Sequence, residues 1–565
     1  MIVSAISLWK KYELNTRLNV SEWDVETKEG RTYMYLSYFG HTVEDGNVRI
    51  SARFAKPEGE GPFPAVLLLQ DAGESADEEL MGYFLDRGYA VLVPDYSGKM
   101  EGDAKNVRRT VYPKSLDYGN WEKARGLHSL KEVESHETSW VEWTYVALYS
   151  VKCLKARADI GNIGIVGVRL GGDIAWQAML SPDVKCGIPI NSAGWYSFLH
   201  MAKFAPNTAH NLSDDRHRYI AAVEAQSYAP YVKCPVLMLC ALRDKRFDCD
   251  RAYDTYSRIG NEYGNALVYS ENCEACIGPN ALTDMDLFLE KNLKDRQIYI
   301  PEVINVSIQE DGEELEITAE CDKEGILEEA GIFYAEADVK TSSTYRDWRC
   351  IHQIQGRMVR DGKTSCRIKP FKGAKAVFAY AYAKYINGFR IMSKITSKRL
   401  SEPDPNAVKS RRLFSGKDLE CFSVAEYKDN SIGGIFMEQE DLPKPSIGYG
   451  GIQGVYSVGG VRTYKMSSPQ YIPEENALLK FDVYTKVSQD LRIEIEVADV
   501  ETDMQRYTCE VEVKGGGKWK RIILKAADFK GADGRPLQSF CSGNALIFAC
   551  ADEETEFSVT NILWL

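Results

Sequence analysis

Between about residues 45 and 298, apolar runs of strand length alternate with stretches whose apolar residues recur every three or four positions. The segments "NVRISARFA", "FPAVLLLQ", "YAVLVPDY", "NIGIVGV", "KCGIPINS", "CPVLMLCAL" and "NALVYS" read as strands. The segments "ADEELMGYFLDRG" and "SWVEWTYVALYSVKCLKA" read as helices. Apolar strands separated by helices predict an α/β fold with a doubly wound, mostly parallel sheet covered on both faces. After Pro301 the texture changes to shorter alternating strands, "VINVSIQEDGEELEITAEC", "AGIFYAEADV", "TSCRIKPF" and "AVFAYAYAKYINGFRIMSKI", a sandwich pattern. "SEPDPNAVKSRR" is polar, carries two prolines and reads as a linker. From Leu413 the chain is again all-β, with turn signals at "GGG", "GADGRP" and "CSGN" and a closing strand "FSVTNILWL". The expected organisation is an α/β domain over residues 1–298, an all-β sandwich over 299–400, a linker over 401–412 and a second all-β sandwich over 413–565.

A length of 565 residues suits several domains, each with its own core. With 69 basic and 82 acidic residues the net charge is −13, which argues against nucleic acid or an anionic membrane as partner. No run is long and apolar enough to span a bilayer. The start, "MIVSAISLWKKYELNTRLNV", does not read as a secretory signal. The 14 cysteines are scattered, several inside apolar runs, so a reducing cytoplasmic setting is expected. Cys273 and Cys276, in "CEAC", and Cys249 between Asp248 and Asp250 invite a metal or redox reading, but with no second pair or histidine beside them no metal is expected. No cofactor motif is present in the reading, and oligomeric state is left open.

The candidate chemistry lies in "NIGIVGVRLGGDIAW", a strand, a glycine-tight corner and a helix. A corner of the form Gly-x-X-x-Gly strains residue X and lifts its side chain above the carboxyl edge of the sheet. Here the glycines are Gly167 and Gly171, and X is Arg169. Upstream, "FPAVLLLQDAG" ends a strand where an oxyanion loop belongs, and downstream "PVLMLCALRD" ends one on an acid.

On these motifs the first 300 residues or so resemble the α/β-hydrolase superfamily, in particular its dienelactone-hydrolase-like and acetyl-xylan-esterase-like branch. That resemblance implies a nucleophilic serine at the corner, an aspartate at the later strand end and a histidine in a loop near the end of the domain. The matching positions are Arg169, Asp244 and, in "SENCEACIGP", Ala275. An arginine has no lone pair to attack with, and no histidine occurs between Asp244 and the end of the expected domain. The oxyanion loop reads "QDAG", Gln70 to Gly73, in place of the usual "HG" start. The implied reading is an esterase homologue with a degenerate triad and a binding or scaffolding role. Its pocket residues would be Gln70, Asp71, Arg169, Leu170, Asp244 and Glu274. The middle module resembles immunoglobulin- or fibronectin-like spacers. The last resembles galactose-binding-like jelly rolls through "WKRIILKAADFKGADGRPLQ" and "FSVTNILWL", which implies a link to carbohydrate handling.

Three alternatives stay open at this level. Ser192 in "INSAGW" with Asp215 and His217 would form an improvised triad and an active esterase. Arg169 and the helix start at Leu170 would hold a small anionic ligand. Arg169 would otherwise pair with Asp244 or Glu274 and close the site from within.

Overall fold

The computed structural model describes residues 3–74, 76–99, 108–198, 201–206, 212–270, 276–425, 432, 434–437, 442–457, 460–498, 504–550 and 556–565, apart from the side chain of Asn261. The N-terminal half is built on a nine-stranded sheet of order β1-β2-β3-β5-β4-β6-β7-β8-β9. The strands are β1 (Ser21–Lys28), β2 (Arg31–Val43), β3 (Gly46–Pro57), β4 (Phe63–Leu69), β5 (Ala90–Pro94), β6 (Ile160–Val168), β7 (Val184–Ile190), β8 (Leu237–Ala241) and β9 (Ala266–Ser270). From β5 across to β9 all pairings are parallel, while β1, β2 and β3 join antiparallel. Strands β4, β5, β8 and β9 run as almost unbroken buried apolar segments, as helix-covered parallel strands must.

The antiparallel start of the sheet, β1 and β2, was not among the expected strands. Met34, Leu36 and Tyr38 of β2 face inward at a two-residue spacing. Tyr33, Tyr35 and Phe39 occupy the outward positions, so the alternation of apolar and polar residues that marks a one-faced strand is blurred.

Helices α1 (Ala5–Trp9), α2 (Glu78–Asp86), α3 (Ser139–Lys155), α4 (Leu170–Ala178), α5 (Asp214–Ala222), α6 (Cys249–Tyr256) and α7 (Asn280–Leu293) accompany the sheet. The C-terminal half is antiparallel. Residues 305–399 form a three-stranded and a five-stranded sheet, and residues 412–564 form two six-stranded sheets. Arg411 and Arg412, at the end of the expected linker, already belong to the last of these units: the Arg411 carbonyl accepts from the Trp564 amide, and Arg412 to Phe414 pairs with the closing strand.

The buried apolar side chains divide differently from the sequence segments. One continuous core joins the nine-stranded sheet to the 305–395 sheets, and a second runs from Leu413 to Trp564. At the first junction two carboxylates of the α/β part are held by arginines of the following sheets. Arg346 makes a bidentate pair with Asp250 at 2.6 and 2.7 Å, with both side chains at most 2% exposed. Asp284 accepts from the Arg390 amide at 2.7 Å and from its guanidinium at 3.1 and 3.2 Å. Around these pairs Tyr269 meets Tyr380, and Phe204 meets Phe378, edge to face.

A buried pair broken on one side leaves a charge without water or partner. Arg346→Ala is therefore expected to destabilise the protein by about 3–5 kcal/mol, read as a fall in the denaturation midpoint. A fragment covering residues 406–565, which carries its own core, should melt cooperatively on its own. A fragment ending at residue 298 should not, because it strips one face from the shared core.

Candidate active-site corner

The corner after β6 is enforced by contact between backbones. A side chain at Gly171 would collide with the carbonyl oxygens of Leu69 and Gln70, and one at Gly167 would lie 2.5 Å from the Gly171 carbonyl oxygen. Between them Arg169 adopts φ 51° and ψ −115°, a positive-φ conformation that costs a residue with a side chain about 1–3 kcal/mol. Its amide donates to the Ile190 carbonyl at 2.8 Å, and its carbonyl accepts the Asp173 amide at 3.0 Å and starts α4. The side chain thus leaves the sheet at its carboxyl edge beside the loops after β4 and β8.

Three of the six expected pocket residues meet there as an ion network. The Arg169 Nη2 lies 3.5 Å from Asp244 Oδ2, and its Nε lies 3.9 Å from Asp71 Oδ2. These are ion pairs, too long for hydrogen bonds of good geometry. Burial works against the charge on Arg169, but Asp244 and Asp71 outweigh it and raise its pKa. Asp71 does more than neutralise. Its Oδ1 accepts from the Ala72 amide at 2.9 Å and from the Leu170 amide at 3.3 Å, so Leu170 contributes its backbone N–H to the carboxylate. Burial raises the Asp71 pKa against the pull of Arg169 and these amides. Asp244 is 2% exposed and accepts the Arg246 amide at 2.7 Å.

The other sequence candidates are distributed as follows. Gln70 turns away to accept the Asp77 amide at 2.8 Å, so its side chain supports the start of α2. Glu274 and Ala275, together with Cys273, lie outside the described residues. Ser192 is buried and takes the Trp176 indole N–H at 3.2 Å, whereas Asp215 is tied to Arg218 and His217 is exposed on α5. The improvised triad is therefore not assembled. Asp95, which follows β5 and was not among those candidates, orders its own loop by accepting the Lys99 and Thr110 amides. Among the described residues no three His, Cys, Asp or Glu side chains are grouped to hold a metal.

Residues missed by the sequence reading complete the corner. Glu74 has its pKa raised by burial and by Asp71, against Arg169 and Arg246, so both share the pocket's field. Asp173, one turn into α4, accepts the Ala193 amide at 2.6 Å. That bond anchors a loop in which Asn191, Ala193 and Trp195 all have positive φ, between 48° and 56°. Burial pushes the Asp173 carboxyl up to about 8, against the Ala193 amide and the Tyr196 hydroxyl. His128 packs beside Tyr196 at 5.1 Å, and burial and Arg216 lower its pKa. Asp173 and Glu74 lie in or directly after the quoted motifs without a role assigned by spacing, and His128 reaches the corner from a separate loop.

The acid loop is clamped from outside the α/β part. The Asp244 carbonyl accepts the Thr344 hydroxyl at 2.8 Å, and Arg243 donates to the Thr344 and Arg346 carbonyls at 3.0 and 2.6 Å. Arg243 also lies over the Tyr464 ring at 3.9 Å, and Lys245 pairs with the buried Glu496 at 3.1 Å. After residue 275, the Ile277 amide donates to the Ile435 carbonyl, and the Met437 amide donates to the Ile277 carbonyl.

Asp173 has a pKa raised above its unfolded value, so its contribution to stability is full at low pH and is lost as pH rises from about 4 to about 8. Asp173→Asn keeps the acceptor for Ala193 and removes the titration. The variant should gain on the wild type between pH 5 and pH 9 in thermal midpoints, and parallel pH curves for the two proteins would refute this assignment.

Residues 50–268 match the model of the dienelactone hydrolase family. Curated proteins yield no match. Among solved structures, acetyl xylan esterase 1 from a Thermoanaerobacterium species shares 14% identity, with 48% of this chain and 90% of that one covered and a TM-score of 0.37. An acetyl xylan esterase from a Paenibacillus species shares 15%, covering 51% and 92%, with a TM-score of 0.40. The acylaminoacyl peptidase of Pyrococcus horikoshii shares 14%, covering 49% of this chain and 51% of its own, with a TM-score of 0.34. The nine-stranded mixed sheet, the strand–corner–helix unit and the match over residues 50–268 mark the N-terminal half of the chain as an α/β-hydrolase-like domain similar over that segment to the dienelactone hydrolase family, followed by antiparallel β sheets.

Proposed function

We propose that this protein is a catalytically silent relative of the esterase-type α/β-hydrolases, whose former reaction centre serves as a structural hub for the β sheets. One observation carries the reading. The amide after the corner residue, Leu170 N–H, is the group that an acyl-transfer enzyme of this fold offers to a developing oxyanion. Here it faces Asp71 Oδ1, which the Ala72 amide also serves. The chain thus places its own carboxylate at the oxyanion-stabilising amide and a guanidinium at the nucleophile position.

The electrostatics support closure over capture of an external anion. Asp71, Glu74 and Asp244 already surround Arg169, with Arg246 as the second cation in their field. A further anion would have to displace an internal carboxylate from both the guanidinium and the helix start. The same loops hold the modules together through Thr344, Arg346, Tyr464 and Glu496, which suits a scaffold. The Trp519 indole, packed beside Tyr484 at 5.5 Å on the C-terminal sheets, is the aromatic surface that supports a link to carbohydrate.

The test combines a fluorophosphonate probe with a panel of acetyl and short-chain acyl esters. Neither labelling nor turnover above buffer is expected, and stoichiometric labelling of any serine would overturn the reading. Arg169→Ser should lower stability by about 1–3 kcal/mol, because it leaves Asp244 and Asp71 without their shared cation. It should still give no hydrolysis, since it leaves Asp71 on the Leu170 amide and supplies no proton shuttle. Ester turnover in that single variant would show that a base is already in place.

A further inference from the structure

We propose that a cavity between the N-terminal strap and α3 is a binding site for a neutral polyol of monosaccharide size. The inference is independent of the silence of the Arg169 corner. The cavity has a volume of about 300 Å³ and is bounded by residues of the strap, the end of β2, the turn at Leu116–Tyr118 and the first turns of α3. Ligand pockets commonly start at roughly this size, so the occupant must be small.

The walls are held rigidly. The strap after α1 is fixed to α3 by tyrosine hydroxyls and a lysine. The Tyr145 hydroxyl bridges the Lys11 carbonyl and the Glu13 amide, and Lys152 Nζ donates to the Leu14 and Thr16 carbonyls at 2.6 and 2.9 Å. Tyr12 donates to Gln177 and meets Tyr145 edge to face at 4.7 Å.

The polar centre is a histidine–carboxylate pair that the corner does not use. His41 Nδ1 lies 2.9 Å from Glu142 Oε2 and 3.2 Å from Oε1, with Glu142 1% and His41 23% exposed. The imidazole also stacks on Tyr145 at 4.0 Å with 13° between the planes. Stacking and the Glu142 contact together fix the ring, and with Nδ1 committed Nε2 remains for a ligand. Lys11, His136 and Glu137 stand at the exposed rim, and Leu116, Val141 and Tyr118 supply the apolar floor.

This lining selects by elimination. The lining sets Lys11 against the carboxylates of Glu137 and Glu142, so neither a simple anion nor a simple cation meets groups of one opposite sign. A wholly apolar ligand would strip water from the His41–Glu142 pair without replacing it. A hydroxyl both donates and accepts, so vicinal hydroxyls suit a mixed array of carboxylates, imidazoles and ammonium. The C–H face of a sugar ring suits the tyrosines of the wall.

The full-length protein can be tested by titration calorimetry and saturation-transfer NMR against xylose, arabinose, glucose, galactose, mannose and inositol, with choline as the cationic probe and acetate as the anionic one. At least one neutral polyol should bind saturably. Lys11→Ala and His136→Ala, both at the exposed rim, should weaken it severalfold with an unchanged thermal midpoint. Glu142→Gln should weaken it tenfold or more, and if that variant does not fold the rim variants decide alone. Trp519→Ala, on the C-terminal sheets, should leave this binding intact. The proposal fails if no polyol saturates, if a charged probe binds in preference, if rim variants bind like the wild type, or if Trp519→Ala removes the binding. None of these outcomes depends on whether the corner hydrolyses esters.

Discussion

The corner between β6 and α4 is the constraint on which the candidate site depends. Two strands and a helix approach so closely at Gly167 and Gly171 that backbone replaces side chain, and the residue between them has only one way out. Whatever stands at position 169 is raised above the sheet edge and put within reach of the loops after β4 and β8. The geometry lifts a single side chain clear of the sheet, and the group it lifts is a guanidinium. Neighbouring acids then need no special explanation. Asp71 and Asp244 end strands that the sheet order sets on either side of the corner, and a buried carboxylate is stable there because a cation is delivered to it.

The same network explains how the modules are joined. Loops at the carboxyl edge of a parallel sheet are ordinarily free to serve a ligand. Here the loop after β8 is occupied on its outer side: its backbone and flanking cations, Arg243 and Lys245, are spent on Thr344, Arg346, Tyr464 and Glu496. One turn further on, Asp250 is closed by Arg346. Buried pairs of this kind add little net stability compared with apolar packing, but they penalise any other arrangement of the partners. They therefore specify how the β sheets seat on the hydrolase-like domain while the shared apolar core supplies the attraction.

Conformational strain gathers in the same region. Asn191, Ala193 and Trp195 hold positive φ in the loop after β7, and Arg169 does so at the corner, yet the Asp173 carboxyl that anchors Ala193 is itself out of water. Strain at a carboxyl edge is a common mark of a working site. In this protein it is retained around an internally satisfied ion network, whereas the His41–Glu142 cavity combines open volume with a polar pair.

The seven strands from Asn47 to Ser270 were legible in the sequence because strands buried on both faces read as apolar runs, which need no partner to be recognised. The corner was legible because its glycines sit at a fixed spacing around Arg169, and the acid was legible because Asp244 follows an apolar strand. Strands β1 and β2 were hidden by aromatic residues on the outward positions. Asp173 and Glu74 stand in or beside the quoted motifs but carry no pattern of their own, and His128 and the His41–Glu142 pair are distant from the motifs or from one another along the chain, so only packing shows what each meets. The sequence by itself thus determined the secondary-structure alternation and which residue stands at the corner after β6, both properties of local spacing. Only the tertiary structure decided that Asp71 takes the helix amide, that Arg346 closes Asp250 and that the first two units share one core. Each of these is a contact between segments far apart in the chain, whose energy depends on burial and distance and so has no local pattern from which to be read.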